Sequence, residues 1–238
     1  MTMEALIFDC DGVLVDTERD GHRVAFNAAF ADAGLDLSWS VERYGELLTT
    51  GGGKERMVRH FNETGWPKGF DDKNALIALL HKKKTELFTR LIEAGALPLR
   101  PGVERLVDEA LGAGLTIAVC STSNEKSVRA IVEQLLGVTR APKITIFAGD
   151  IVAAKKPDPA IYTLAAETLG LKPAHCVVIE DSHIGLSAAK AALMNCIVTM
   201  SPYTAEEDFA SADRVVSDLD QGITLEVCQS LVALRSSR

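Results

Sequence analysis

Apolar and polar positions alternate differently in three stretches of the chain. Ala5-Leu6-Ile7-Phe8 is an unbroken apolar run that ends on Asp9, the pattern of a strand buried on both faces of a parallel sheet. From about residue 18 the period becomes helical. Phe26, Phe30 and Ala33 recur before Gly34, and Leu76, Leu80, Leu87 and Leu91 before Gly95, each run closed by a glycine suited to a helix end. Two more helices are predicted over Val41–Leu48 and 54–61, separated by Gly51-Gly52-Gly53, and residues 65–69 read as a loop. From about residue 97 short apolar runs alternate with helical ones. Strands are expected at 116–120, 144–147, 176–179 and 196–199, with Arg214–Val216 as an edge, and helices at 103–110, 128–136, Ala160–Leu169 and 185–192.

Strands alternating with helices of this length predict βαβ units and a parallel sheet. The first strand belongs with that sheet by texture, so the helical block becomes an insertion. The expected architecture is an α/β core of residues 1–17 and 97–238, its parallel sheet flanked by helices, with an all-helical cap of residues 18–96.

Composition narrows the function. The 238 residues carry a net charge of −8, which counts against nucleic-acid and membrane-surface partners. The five cysteines, Cys10, Cys120, Cys176, Cys196 and Cys228, include no C-x-x-C pair, so neither a disulfide frame nor a zinc site is expected. No apolar run is long enough to span a bilayer, so a soluble protein is expected.

In open α/β sheets, ligands bind beyond the carboxyl ends of the strands. The residues there are Asp9 and Asp11; Ser121, Thr122 and Ser123; Asp150 with Lys155 and Lys156; and Glu180 with Asp181. Asp9 and Asp11 point the same way while the backbone stays extended. Their mutual repulsion favours a shared proton or a bound cation, and the hard oxygen donors suit Mg²⁺. A lysine among carboxylates makes sense if an anionic group also enters. Together the set holds what phosphoryl transfer needs: a nucleophile, an acid and cationic stabilisation.

The run Phe8-Asp9-Cys10-Asp11-Gly12-Val13-Leu14-Val15-Asp16-Thr17 resembles the first motif of the haloacid-dehalogenase-like (HAD) superfamily. Ser121 matches the second motif, Lys156 with Pro157 and Asp158 the third, and Glu180-Asp181 the fourth. The resemblance spans essentially the whole chain, helical cap included. It implies that Asp9 attacks phosphorus and that Asp11 protonates the leaving oxygen and then activates water. It implies that Ser121 and Lys156 grip the phosphoryl group. Mg²⁺ would be held by Asp9, the main-chain carbonyl of Asp11 and Asp181, with Glu180 a ligand or one step removed.

Within the superfamily the chain most resembles the CbbY branch, whose members dephosphorylate xylulose-1,5-bisphosphate, an inhibitor of Rubisco. The resemblance lies in Asp16-Thr17-Glu18 with His22-Arg23, Tyr44-Gly45-Glu46-Leu47-Leu48, Gly51-Gly52-Gly53-Lys54-Glu55-Arg56, Lys84-Thr85-Glu86-Leu87-Phe88, Leu99-Arg100-Pro101-Gly102 and Cys120–Glu125. It is closest to the plastid form. It implies a small sugar phosphate as substrate, and the chloroplast stroma if a transit peptide has been removed, otherwise the cytoplasm; a monomer with no nucleic-acid or membrane partner is expected. Candidate substrate residues are Glu18, His22, Tyr44, Gly53, Lys54, Arg56, Lys84, Arg100, Thr122, Ser123 and Asn124, and Lys54 and Arg100 are the candidates for a distal phosphate. A phosphomutase of the β-phosphoglucomutase type and a non-catalytic Mg²⁺- or phosphate-binding regulator are the alternatives. Gly51-Gly52-Gly53-Lys54 is no P-loop, because Lys54 is followed by Glu55.

Overall fold

A computed structural model describes residues 2–50 and 52–235. Gly51, part of the expected glycine loop, lies outside the described residues. In chain order the elements begin with β1 (Ala5–Phe8). A π-helical turn (Thr17–His22) follows, then α1 (Arg23–Asp32), α2 (Val41–Leu48), α3 (Gly53–Thr64) and α4 (Lys73–Glu93). The chain continues through α5 (Val103–Gly112), β2 (Thr116–Ser121), α6 (Glu125–Arg140), β3 (Ile144–Ala148) and α7 (Ala160–Leu169). It ends with β4 (Cys176–Glu180), α8 (His183–Ala191), β5 (Asn195–Thr199), β6 (Arg214–Val216) and α9 (Leu225–Arg235). The chain divides into two compact units, Met1–Asp16 with Pro98–Arg238, and Thr17–Leu97.

The first unit holds a parallel sheet of order β3-β2-β1-β4-β5-β6. β1 lies inside it, Ala5 pairing with Thr116 on one side and Cys176 on the other. All four β1 residues are fully buried, which is why the strand reads as continuous apolar sequence rather than as alternation. Ala5, Ile7, Ala118, Cys120, Val178 and Cys196 face a core shared with Tyr162, Ala165, Leu186 and Ala189 of α7 and α8. Leu6, Phe8, Ile117, Val119 and Val177 take the opposite face by the pleat. Each such aliphatic or aromatic side chain contributes about 1.5–3 kcal/mol on burial.

The second unit is all helical. Trp39 fills its centre, with ring centroids 4.9 Å from Phe26 and 4.8 Å from Phe30. Asn27 holds the backbone of Trp39 from both sides, donating to its carbonyl at 3.0 Å and accepting from its N–H at 2.8 Å. Ser40 and Asp72 cap α2 and α4 by accepting from Arg43 N and Ala75 N.

Several elements differ from the sequence reading, α6 for example running over Glu125–Arg140 where 128–136 is expected. The π-helical turn at Thr17–His22 has no counterpart in it, since a one-residue widening leaves no mark on apolar spacing. α4 is longer than its leucine repeat, running back to the cap residue Asp72. α9 is additional: its buried Cys228 and Val232 are too few to stand out as a stripe.

Candidate active site

The chain reverses directly after β1. Leu14 N donates to Cys10 O at 2.9 Å and Gly12 N to Val15 O at 2.7 Å, while Asp9 N is tied to Ile179 O of β4 at 2.9 Å. Asp9 and Asp11 leave this loop toward different partners. Asp9 is buried, and Lys156 Nζ donates to its Oδ1 at 2.7 Å. Lys156 also donates to Glu180 Oε1 at 2.6 Å and to Cys120 O at 3.0 Å. The Lys156 side chain is 8% exposed, and an ammonium so enclosed needs this compensation. Asp11 Oδ2 accepts from Ser123 Oγ at 2.5 Å and more distantly, at 3.4 Å, from Ser121 Oγ. Ser121 Oγ in turn accepts from Ser123 N at 3.1 Å.

Burial pushes the Asp9 carboxyl up to about 7 against the opposing charge of Lys156, with Glu180 and Asp11 raising it further. Asp181 is also held well above the usual carboxylate range, by burial and then by the charges of Glu180 and Asp9. Burial works against the Lys156 ammonium, but Asp9 and Glu180 outweigh it and keep the group charged. Tyr162 of α7, which the sequence analysis does not single out, is fully buried and donates to Glu180 Oε1. Its ring centroid lies 4.9 Å from Lys156 Nζ. Burial and the charge of Glu180 raise its phenol well above the ordinary value, so it remains a donor. The one signal in the sequence is a hydroxyl within an apolar helix stripe.

Asp9, Glu180 and Asp181 each place a carboxylate oxygen within 4.8 Å of the others. Beside these three carboxylates Lys156 supplies one positive charge, and the hard oxygen donors fit a small divalent cation. The Asp11 carboxylate is turned instead to the two serines. Glu180 already receives Lys156 and Tyr162 on Oε1 and Asp181 N on Oε2.

In the helical unit, Tyr44 OH donates to Glu18 Oε2 at 2.5 Å, and Arg56 reaches Tyr44 OH at 3.1 Å and Glu18 at 3.7 Å. Lys84 Nζ lies 2.9 Å from His22 Nδ1 and 4.9 and 5.2 Å from the ring centroids of Phe26 and Phe88. Burial, with Arg56 adding to it against Glu18, brings Lys84 down to about 8. Burial and the Lys84 charge bring His22 down to about 3, so its ring is neutral and accepts from the ammonium. Glu18, His22, Tyr44, Arg56 and Lys84 thus come together as one set. Gly53 opens α3, where a β-carbon would meet the Phe26 ring at 3.1 Å.

Four expected residues stand elsewhere. Lys54 is exposed and lines a groove of the helical unit with Arg59, Asn62, Asn74 and Ile77. Arg100, expected as a phosphate ligand, faces main-chain carbonyls in this structure. Its terminal nitrogens donate to the carbonyls of Gly12, Thr199, Met200 and Ser217, so the guanidinium is spent on the core scaffold. Asn124 caps α6, accepting from Lys126 N at 3.0 Å, and Thr122 accepts from Lys155 Nζ through its carbonyl at 3.4 Å. Thr122 and Asn124 line a small cavity with Asp150 and Lys155.

The family model of the haloacid dehalogenase-like hydrolases matches residues 3–192. The chain is 60% identical over 236 residues to a CBBY-like protein of Arabidopsis thaliana, covering 96% of this chain and 74% of that protein. It resembles the crystal structure of CbbY from Rhodobacter sphaeroides in complex with phosphate, with a TM-score of 0.73 and 42% identity over 96% of this chain and 99% of that one. A mutant of the same bacterial protein in complex with xylulose-1,5-bisphosphate aligns with a TM-score of 0.71 and 43% identity, covering 94% of this chain and 98% of that one.

Proposed function

The chain belongs to the haloacid dehalogenase-like hydrolases and within them is a phosphatase of the CbbY type; from that premise we propose that it hydrolyses xylulose-1,5-bisphosphate through a phosphoryl group carried on Asp9. The observation that carries the reading is the different setting of two neighbouring carboxylates. Asp9 is buried against Lys156, whereas Asp11 faces hydroxyls.

Asp9 attacks phosphorus, and the ester P–O bond breaks. Asp11 gives its proton to the leaving sugar oxygen. Water then attacks the aspartyl-phosphate, Asp11 takes a proton from it, and inorganic phosphate leaves with Asp9 restored. Lys156 balances the charge of the phosphoryl oxygens, and the hydroxyls of Ser121 and Ser123 orient Asp11. Asp9 and Asp181 would hold Mg²⁺, with Glu180 beside them and the main-chain carbonyl of Asp11 completing the set. When bound, the ion neutralises phosphate charge and fixes the in-line geometry.

The substrate reading draws on the resemblance to the bacterial protein solved with xylulose-1,5-bisphosphate. The cationic pair Arg56 and Lys84 is what a second phosphate requires, and Glu18 and Tyr44 suit sugar hydroxyls. The proposed partner is this small molecule alone, met by a monomer. A link to Rubisco runs only through the inhibitor removed, and the plastid stroma is the compartment that implies.

The test is phosphate release with Mg²⁺ from xylulose-1,5-bisphosphate beside fructose-1,6-bisphosphate, ribulose-1,5-bisphosphate and glucose phosphates, with Asp9→Asn as blank. Selective turnover of the xylulose compound is expected. Turnover of another sugar phosphate in its place would remove the substrate assignment and keep the chemistry.

A further inference from the structure

Tyr162 sits in α7 between Ile161 and Ala165, in a helix face that packs into the sheet, and none of it is exposed. A leucine or phenylalanine would bury comparable apolar surface without a hydroxyl that must find a partner. The phenol donates to Glu180 Oε1, the oxygen that also receives Lys156 Nζ at 2.6 Å. Its ring lies against the same ammonium, 4.9 Å from Nζ to the centroid. The other oxygen of Glu180 accepts from Asp181 N at 3.2 Å. A β-carbon on Gly185 would fall 2.0 Å from the Glu180 carboxylate, so the helix start leaves that group no room on its side.

We propose that Tyr162 is a positioning residue of the phosphatase, fixing Lys156 beside Asp9 by way of Glu180. The proposal rests on the reading of Asp9 as nucleophile, and it extends the machinery to a residue outside the four motifs. Lysine is a point charge on a flexible stem. Here Asp9, Glu180 and Cys120 O share its three protons, and the Tyr162 ring covers a further side. Without the phenol, Glu180 Oε1 keeps one donor in a buried site, and the carboxylate re-aims toward other positive charge. Lys156 follows it. A displacement of about 1 Å at such a group costs on the order of 100-fold in rate.

Tyr162→Phe keeps the ring and removes only the hydroxyl. Rates are measured on para-nitrophenyl phosphate and xylulose-1,5-bisphosphate, in the wild-type and Glu180→Ala backgrounds. We expect Tyr162→Phe to lower kcat about tenfold with KM within about twofold. In the Glu180→Ala background, where no side-chain acceptor joins the two donors, the same change is expected to lower kcat less than about twofold, because its route is already cut. Equal losses in both backgrounds would mean that Tyr162 acts only on the fold, and would overturn the proposal. If Glu180→Ala does not fold, Tyr162→Phe alone decides, and an unchanged kcat overturns it. Activity on para-nitrophenyl phosphate with none on xylulose-1,5-bisphosphate overturns the substrate reading and leaves this one standing; inactivity on both overturns both.

Discussion

Gly12 backs directly onto Asp181: a β-carbon at Gly12 would lie 1.9 Å from Asp181 Oδ2. Gly12 also has φ +77°, a conformation that other residues adopt with strain. The glycine of the first motif is therefore as much a condition for the fourth motif's carboxylate as for its own turn. Gly12→Ala is expected to push Asp181 aside and raise the Mg²⁺ concentration for half-maximal rate by about tenfold or more. A Mg²⁺ titration of activity, beside a thermal melt, checks this. A lowered Tm with an unchanged Mg²⁺ requirement would separate turn strain from metal binding.

Asp11 has a role that can be isolated by the choice of leaving group. Its carboxylate, 2.5 Å from Ser123 Oγ, stands clear of the Asp9–Glu180–Asp181 group. With a sugar phosphate, Asp11→Asn is expected to lose about 10²–10⁴ in kcat, the usual contribution of a general acid. With para-nitrophenyl phosphate the leaving group needs no proton, so the first step survives while hydrolysis of the phosphoenzyme stalls. Rapid-quench kinetics should then show a burst of nitrophenol approaching one per enzyme. A steady rate without a burst would place Asp11 in the first step only.

Strand positions and the rim residues were readable because parallel strands buried on both faces write unbroken apolar runs, and the residue after each run meets the ligand edge. That rule points to Asp9 after β1, to Ser121 at the end of β2 and to Glu180 at the end of β4, whereas Lys156 lies eight residues beyond β3 and stands out through the third motif. It could not say which partner each would choose. Arg100 read as a cation near the motifs, yet its donors go to four carbonyls, and main-chain acceptors have no sequence signature. Tyr162 was hidden for the converse reason: in a linear string, a buried aromatic with a structural partner looks the same as one without. The π-helical turn at Thr17–His22 depends on backbone hydrogen bonding that apolar spacing does not encode.

Lys84 makes pH a probe of the helical unit. Burial, with Arg56 adding to it against Glu18, lowers its pKa from 10.5 to about 8. Between pH 8 and about 10.5 the unfolded chain binds more protons than the folded one, so stability rises with pH through that window. Below pH 8 the buried ammonium costs on the order of 3 kcal/mol, and Lys84→Met is expected to stabilise the protein there. That gain should fade as the pH approaches 10. Binding runs the other way, since a phosphate needs the ammonium: KM for the bisphosphate is expected to rise above about pH 8 while KM for para-nitrophenyl phosphate does not. A KM for the bisphosphate that stays flat from pH 7 to about 9.5 would remove Lys84 from the phosphate site.

Arg100 offers the sharpest contrast between scaffold and ligand roles. Its guanidinium joins Gly12 of the motif loop to Thr199 and Met200 at the end of β5 and to Ser217 beyond β6. Arg100→Ala strands these carbonyls, and charge-assisted bonds of this kind contribute about 1.5–3 kcal/mol each when intact, though not additively. A loss of roughly 2–4 kcal/mol in unfolding free energy is expected from urea denaturation. Because Gly12 abuts Asp181, the Mg²⁺ requirement should rise as well, while KM for the bisphosphate at saturating Mg²⁺ changes little. A phosphate ligand would behave in the opposite way, with KM rising at unchanged stability, and that outcome would return Arg100 to the substrate.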